Sequence, residues 1–522
     1  MPITTTHPDY AHNVSRAIKN RVAIEGQDSV RNNFSTYFAE PEGLTKLRLK
    51  QPTEYNAILE NYKNAAIWKP YPAKMIDSIN GMLFKENVNV SSDPESLEHL
   101  KSNFDGKGSD ITSWAQETVK EMVSSNRMFS FVIYSDIDKK PYIRSFPFES
   151  VINWRSSFIN GKEITEFVIL KVEEYDDITA DKWNTRKQTY YIELSLKNSN
   201  GNPYDIIENE NYNGTIADQE HIVDMGTYHY AKYKSYSTAS QDAGTLVEEY
   251  EVLAGGKAID FIPFYIFSKN GTGWECGEPL INGVVDLSFG IYNNSAQYEV
   301  GMAQSATPTP VMLGFTPEEV NVASLGAHGG IATSNHEAKV AYLENTGAGL
   351  GELRKAMDDK KADIADIGVY VLSDGRGGAE TAEALKIRKT GENGILSDLA
   401  YTIEHGIKRL YEYASLFVSN PKLDNDVSEV NVTVNKDFDV GALTSKDIFT
   451  YYDMVTTGGM SLKDYYKILR RDGITTLSFE EWNSETIGSR EEYSSSVYDP
   501  DNEQTINAPA RDQDKKLVNT LS

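Results

Sequence analysis

Residues 279–310 read PLINGVVDLSFGIYNNSAQYEVGMAQSATPTP. Apolar side chains recur in this stretch with the spacing of one helical face, at Leu280, Val284, Leu287, Ile291 and Tyr298. Another face is polar and carries Asn293, Asn294 and Gln297. Because proline cannot continue a helix, the stretch predicts one long helix with a narrow apolar stripe that ends at Thr307-Pro308-Thr309-Pro310.

A compact insert follows this helix in residues 311–349. Val311 to Leu313 and Val340 to Leu343 have the apolar, β-branched character of short strands. Thr316-Pro317-Glu318-Glu319 is typical of a helix start, and Gly326 to Gly330 predicts a glycine-rich turn.

A second and a third long helix follow the insert. The second starts near Leu350 and has a thin apolar stripe in a densely charged surface, which favours packing beside copies of itself, at Leu353, Met357, Ile364 and Ile367. Ser373 to Gly378 predicts a flexible exposed loop, because glycines without partners are costly to order. The third helix is predicted in two parts, interrupted at Gly391 and Gly394, with core positions Leu396, Leu399, Ile403, Ile407, Leu410, Ala414 and Phe417.

The flanking regions predict a mixed body and a small C-terminal module. Thr53 to Phe84 reads as two helices broken at Pro70 and Pro72, and Ser109 or Asp110 caps a third with core residues Trp114, Val119, Met122 and Val123. Strand patterns with hairpin-like spacing predict an antiparallel or mixed sheet from Ser130–Tyr134, Tyr142–Phe146, Glu166–Val172, Thr189–Leu196, Tyr228–Tyr233 and Leu246–Leu253. A strand in Ser428–Phe438, two or three helices between Thr444 and Ile487, and a disordered tail from Ser489 complete the prediction.

Composition limits the possible functions. The 522 residues carry 77 acids and 51 bases, a net charge of −26, which disfavours a conventional nucleic-acid binder with a basic footprint. The single cysteine, Cys276, excludes an intrachain disulfide and a cysteine-based zinc site, as expected in a reducing cytoplasm. The N-terminus has no secretory pattern, and the apolar run Phe261 to Phe267 is far shorter than the about 20 residues of a spanning helix.

No enzyme motif is found. The Walker A pattern is absent, and Gly347 to Gly351, which imitates a dinucleotide-binding loop, lacks the spacing and the βαβ context and is interpreted as a turn. His328 and His336 lack the spacing of metal ligands on one helix, and loop positions are expected for both. A tyrosine cluster is interpreted as a sheet face or subunit interface in preference to a base-stacking surface, at Tyr228, Tyr230, Tyr233 and Tyr236.

The order of these elements resembles the portal proteins of tailed bacteriophages. A mixed α/β body is followed by a long helix, an insert, a second long helix, a glycine loop and a third long helix. Within residues 55–420, strings that resemble one branch of the portal families are Tyr142-Ile143 through Val151-Ile152-Asn153-Trp154, Pro279-Leu280 leading to Asn293-Asn294, Thr307-Pro308-Thr309-Pro310-Val311, and Glu380-Thr381-Ala382-Glu383-Ala384.

The resemblance implies an α+β portal fold with a mixed α/β wing, a stem of long helices, a small α/β clip, a channel loop and a short helical crown. The implied parts are the wing (1–278), stem helix 1 (279–306), clip (307–349), stem helix 2 (350–368), channel loop and wing helix (369–420), C-terminal wing strand and crown helices (421–488), and a disordered tail (489–522).

The same resemblance implies roles for individual residues. The loop facing DNA comprises Asp374, Gly375, Arg376, Gly377 and Gly378, with Arg376 best placed to touch phosphate. Lys386, Arg388 and Lys389 contact DNA or a neighbouring subunit, unless they form only a solvated helical face. The implied subunit interface comprises Leu280, Val284, Leu287, Leu353, Met357 and Ile364.

The partners implied by the resemblance are those of a DNA channel in a virion. A homo-oligomeric ring of about twelve copies, a 12-mer, would sit at one capsid vertex after assembly in the host cytoplasm. It would pass double-stranded DNA and contact the major capsid protein, the terminase large subunit and then a head-tail adaptor, with no cofactor and no membrane. Two alternatives stay open: another head-tail connector or tail subunit, and a carboxylate-dependent hydrolase.

Overall fold

The computed structural model describes residues 3–159, 162–178, 181–197, 226–235, 244–269, 273–306, 309–322, 332–343, 347–372, 382–418, 430–436, 438, 445–471, 474–475 and 477–484. The chain divides into two units, Met1–Phe438 and Asp439–Ser522.

The first unit begins with helices that the sequence patterns predict only from residue 53 onward. The helices up to residue 125 are α1 (Pro8–Glu25), α2 (Gln27–Asn32), α3 (Phe34–Tyr37), α4 (Glu42–Lys50), α5 (Pro52–Ala65), α6 (Tyr71–Leu83), α7 (His99–Ser102) and α8 (Ile111–Ser125). The break between α5 and α6 and the helix after Gly108 are confirmed. Asp110 caps α8 by accepting the Ser113 N–H at 2.8 Å, and Asn126 ends the helix in the left-handed conformation.

The strands of the first unit pair only antiparallel among the described residues. They are β1 (Asn89–Ser91), β2 (Met128–Ser135), β3 (Lys140–Pro147), β4 (Val151–Ile159), β5 (Lys162–Ile178), β6 (Asp181–Lys197), β7 (Thr227–Lys234), β8 (Thr245–Glu251), β9 (Leu253–Ala254), β10 (Lys257–Ala258) and β11 (Phe264–Phe267). The larger sheets have the orders β4-β5-β6-β7-β8 and β11-β2-β3. The predicted hairpin spacing is confirmed, whereas β4 and β11 were not predicted.

The remaining described elements of the first unit are three long helices, one short helix and three short strands. They are α9 (Asn282–Ala306), β12 (Thr309–Leu313), α10 (Pro317–Val322), β13 (Lys339–Leu343), α11 (Ala348–Leu372), α12 (Ala382–Val418) and β14 (Asn431–Thr433), which pairs with β1. The predicted interruption of the third helix is wrong, because α12 runs through Gly391 and Gly394 without a break. Two helix-interior glycines cost about 2 kcal/mol of propensity, which the buried face of this helix outweighs.

One hydrophobic core joins helices and sheets in the first unit. All seven predicted core positions of α12 are buried in it, at Leu396, Leu399, Ile403, Ile407, Leu410, Ala414 and Phe417. A smaller cluster covers the other face of the five-stranded sheet, with Ile3, Ile152, Ile169 and Tyr191. The second unit contains α13 (Ser445–Thr456) and α14 (Leu462–Arg471), in agreement with the short helices predicted between Thr444 and Ile487. Within this unit Tyr466 packs against Phe479 and Trp482.

Candidate functional site

The three long helices α9, α11 and α12 and the insert between α9 and α11 form the region that the sequence singles out. Helices α9 and α11 run antiparallel, and glycines of α9 lie against larger side chains of α11. A methyl group added at Gly290 would lie 3.0 Å from Lys360 Cε, and one added at Gly301 would lie 2.8 Å from Leu350 Cδ2. These glycines therefore allow close approach of the two helices along their length.

Helix α9 is enclosed by its own chain to a greater extent than its narrow stripe predicts. Phe289 packs on Trp68 and Tyr37, with ring centroids 4.9 and 4.7 Å apart. Asn293, on the polar face of the predicted helix, accepts a hydrogen bond from the Ala39 N–H and donates one to the Tyr37 carbonyl, both at 3.3 Å. The sequence prediction of α9 failed here because it did not include the N-terminal helices that cover this helix.

The predicted interface residues therefore divide into two groups. Val284 is 1% and Ile364 is 8% exposed, and both lie in the chain's own core. Both already pack inside the protomer, and their part in a subunit interface stays a prediction. The others are half-buried, and for them a subunit contact stays a prediction: Leu280, Leu287, Leu353 and Met357.

Helix α11 is largely exposed, as its thin stripe predicts. Among its described side chains only Ile364 is buried, and its exposed surface carries Glu352, Arg354, Lys355, Asp358, Asp359, Lys361, Asp363 and Asp366. An open cavity of about 470 Å³ lies between α9, α11 and the segment before α6. Charges of both signs line it, with Lys69, Arg354 and Lys361 against Glu299 and Asp358.

In its described residues, the insert consists of a two-stranded sheet and one short helix. Strands β12 and β13 pair from Thr309 opposite Leu343 to Leu313 opposite Lys339. Thr316 and Glu319 cap α10 reciprocally, since the Glu319 N–H donates to Thr316 Oγ1 and the Thr316 N–H donates to Glu319 Oε2. The insert leaves apolar side chains open, with Leu313 58% exposed, Val320 45% and Val340 42%.

The predicted channel loop, Asp374, Gly375, Arg376, Gly377 and Gly378, lies outside the described residues. Lys386, Arg388 and Lys389 lie on α12, but their side chains are not among those that the structure describes. For all of these residues, contact with DNA stays a prediction.

The other motifs have structural explanations. Gly347 has a φ of +64° in the turn between β13 and α11, and β13 pairs antiparallel, whereas a dinucleotide loop needs a parallel βαβ unit. The sheet-face interpretation is confirmed for Tyr228, which is 2% exposed, and for Tyr230, which stacks on Tyr250. His336 is exposed, whereas His328 and Tyr236 lie outside the described residues.

Two further findings concern metals and membranes. Across the described residues, no group of three or more His, Cys, Asp or Glu side chains is arranged to hold a metal ion. In the same part of the chain, every helix is too short or too polar to cross a membrane.

Two arginines that the sequence analysis did not identify form hydrogen bonds between distant segments of the first unit. Arg21 of α1 donates to Glu121 of α8 and to Glu149 at 2.7–3.0 Å. Arg127 is 1% exposed and donates from Nη1 to the Gly273 carbonyl at 2.8 Å, while its Nε and Nη2 have no hydrogen-bond partner among the described residues. Burial lowers the pKa of Arg127. Neither arginine lies in a recognisable motif, because their partners are distant in sequence.

Comparisons with known proteins find one family and several structures. A family model described as a domain of unknown function, DUF4055, matches residues 279–418, which include α9, the insert, α11 and α12. No curated protein matches the chain.

Two similar solved chains belong to gene transfer agents. One comes from the "Virion of native gene transfer agent (GTA) particle", with 10% identity, 81% of this chain and 91% of that chain covered, and a TM-score of 0.35. The other comes from the "Neck of empty GTA particle computed with C6 symmetry", with 9% identity, 79% and 93% covered, and a TM-score of 0.37. Likenesses this low do not by themselves define a fold or a function.

Proposed function

We propose that the chain is a phage structural protein and, more specifically, a portal subunit that forms a ring at one capsid vertex. The observation that supports this most is the order of α9, a compact insert, α11 and α12 along the chain. Helices α9 and α11 form an antiparallel pair, and the insert follows the end of one and precedes the start of the other. This arrangement corresponds to the stem and clip that the portal resemblance implies.

Ring formation requires two different surfaces of one subunit to fit each other. The exposed charged side of α11 is one candidate, because it offers carboxylates and cations in alternation to a neighbouring helix. The open apolar side chains of the insert are another, since an isolated two-stranded sheet is marginally stable and gains from being covered.

The charge of the chain suits a channel through which DNA slides. A net charge of −26 repels phosphate, so duplex DNA would not be held by many tight contacts. In this proposal the loop Asp374–Gly378 faces the duplex and Arg376 makes a local phosphate contact. The clip meets the terminase large subunit during packaging and a head-tail adaptor afterwards, and the wing meets the major capsid protein. The proposal assigns no enzymatic activity to the chain.

Imaging of the purified chain tests the proposal. We expect negative-stain images and native mass spectrometry to show rings of about twelve subunits with a central hole. A small compact particle would contradict the portal function and favour the hydrolase. Hollow tubes that stack without a defined length would favour a tail subunit.

A charge reversal on α11 tests the interface. Asp359→Lys, on the exposed side of α11, should lower the fraction of subunits in rings, because it places like charges together at a helix contact. Glu54→Lys on exposed α5 serves as the matched control. Both variants should keep the circular dichroism of the parent. Rings that form equally in both would mean that this side of α11 does not contact a neighbour.

Removal of the loop tests the channel role. Deleting residues 373–378 should leave ring assembly intact and reduce packaging or genome retention, which is measured as DNA per particle. A deleted chain that no longer assembles would show that the segment is a structural turn.

A further inference from the structure

Strand β8 lies at an open edge of the five-stranded sheet. Its only strand partner among the described residues is β7. All seven of its side chains are exposed, including Leu246 at 46%, Val247 at 54% and Tyr250 at 51%. An edge strand with open apolar side chains is a template for another strand.

The hydrogen-bond pattern shows which backbone groups of this edge are open. The Val252 N–H, just beyond β8, donates to the Tyr228 carbonyl at 2.8 Å. Because backbone groups of an antiparallel strand alternate in direction, Tyr250 and Glu248 also turn towards β7. The N–H and C=O groups of Glu249 and Glu251 therefore point away from the sheet.

A cleft of about 500 Å³ lies beside this edge and is negatively charged. Tyr230 and Tyr250 stack on one side with ring centroids 5.1 Å apart, and Asp136, Glu248 and Glu251 are among the lining residues. Burial raises the pKa of the Tyr250 phenol, and the carboxylates of Glu248 and Asp136 raise it further. The described lining residues include no lysine or arginine, so the cleft favours a cation next to aromatic rings.

We propose that β8 and the adjacent cleft bind an extended basic segment of another protein, which adds a sixth strand to the sheet and inserts a lysine or arginine into the cleft. Backbone groups of Glu249 and Glu251 supply the pairing, and the carboxylates of Glu248 and Asp136 beside Tyr250 select a cationic sequence. Pairing with β8 of a second copy is disfavoured, because glutamates would then face glutamates across the strands.

A synthetic peptide tests this proposal on the full chain. The probe is a fluorescein-labelled eight-residue peptide that alternates lysine and valine, and the control peptide has glutamate in place of lysine. We expect fluorescence anisotropy to show binding of the lysine peptide only. Hydrogen exchange should slow at the N–H groups of Glu249 and Glu251, whereas that of Tyr250, already turned towards β7, should change little.

Variants separate the contributions of backbone and charge. Glu251→Pro removes an outward N–H and a carboxylate and should weaken binding about tenfold, whereas Glu251→Gln removes only the charge and should weaken it about threefold. Proline is compatible with an edge strand whose N–H faces outward. Glu248→Lys, which leaves the backbone unchanged, should weaken binding about tenfold. Glu318→Gln, an exposed acid of the insert, is the matched control.

Three outcomes would overturn the proposal. Equal binding of both peptides would remove the charge selection, and unchanged binding by Glu251→Pro and Glu248→Lys would place the peptide elsewhere. Slow exchange on β8 in assembled chains without any peptide would identify a second copy as the occupant. The first two outcomes, which are read with peptide on the unassembled chain, are independent of whether the chain forms a portal ring.

Discussion

Gly406→Ala is expected to destabilise the protein, although replacing a helical glycine by alanine usually stabilises a helix. Gly406 lies on α12 where the helix crosses β11. A methyl group there would overlap the ring of Phe267, which is 0% exposed, and would lie 2.8 Å from Tyr265 Cε1. The ring cannot move away into solvent, so the close contact must be relieved inside the core.

Two terms of opposite sign set the magnitude. Alanine gains about 1 kcal/mol of helix propensity over glycine. Overpacking of a core typically costs about 1–3 kcal/mol, and a fully buried ring places this position at the upper end of that range. The net loss is about 1–2 kcal/mol in the free energy of unfolding. It is measured from the denaturation midpoint of the first unit, followed by tryptophan fluorescence.

The same helix offers a matched control. Gly394 of α12 is exposed, and no described atom lies within 4 Å of an added methyl group. Gly394→Ala should therefore stabilise the protein by up to about 1 kcal/mol. Phe267→Leu should reduce the stability loss caused by Gly406→Ala, because the smaller leucine side chain leaves room for the added methyl group. A Gly406→Ala variant as stable as Gly394→Ala would refute this account of the packing.

Two further predictions concern buried polar groups and caps. Arg21→Met should cost about 2–3 kcal/mol at neutral pH, because it leaves the buried Glu121 carboxylate without its cation. Burial raises the pKa of Glu121 in the folded state, so its charge is a cost above that pKa. The stability loss in Arg21→Met should therefore shrink as pH falls through the raised pKa of Glu121. The stability loss in Arg16→Met, which breaks no ion pair among the described residues, should not change with pH. Equal pH dependence of the two variants would contradict this role of Arg21. Asp110→Ala should cost about 1 kcal/mol of stability by removing the cap of α8. Faster hydrogen exchange confined to the first turn of α8 would confirm the cause.

The extent of sequence prediction differs between elements. The C-terminal end of α9 and the start of α8 could be predicted because local signals set them, namely the proline pair at Pro308 and Pro310 and the Asp110 cap. The continuity of α12 could not be predicted, because local propensity at Gly391 and Gly394 disfavours the helix and burial of its distant positions overrides it. The helices before residue 53 were missed, and with them the enclosure of α9.

The candidate site shows the same division. The thin stripe of α11 was predicted from periodicity, and the structure shows an exposed charged helix with one buried residue, Ile364, among its described side chains. That Val284 serves the chain's own core was not predictable, because a helical stripe looks the same whether its partner is the same chain or another. The open edge of β8 also needed the structure, since strand patterns do not tell a central strand from an edge strand.

The sequence by itself determined the acidic net charge, the mixed helix and sheet composition and the order of long helix, insert and long helix. These depend on residue counts, on periodicity and on proline and capping residues, which act over a few positions. Only the tertiary structure decided which apolar faces meet inside the chain, which glycines allow close approach and which strands of the described sheets have a neighbour on one side only. These depend on contacts between residues far apart in sequence, and neither spacing nor propensity encodes such distances.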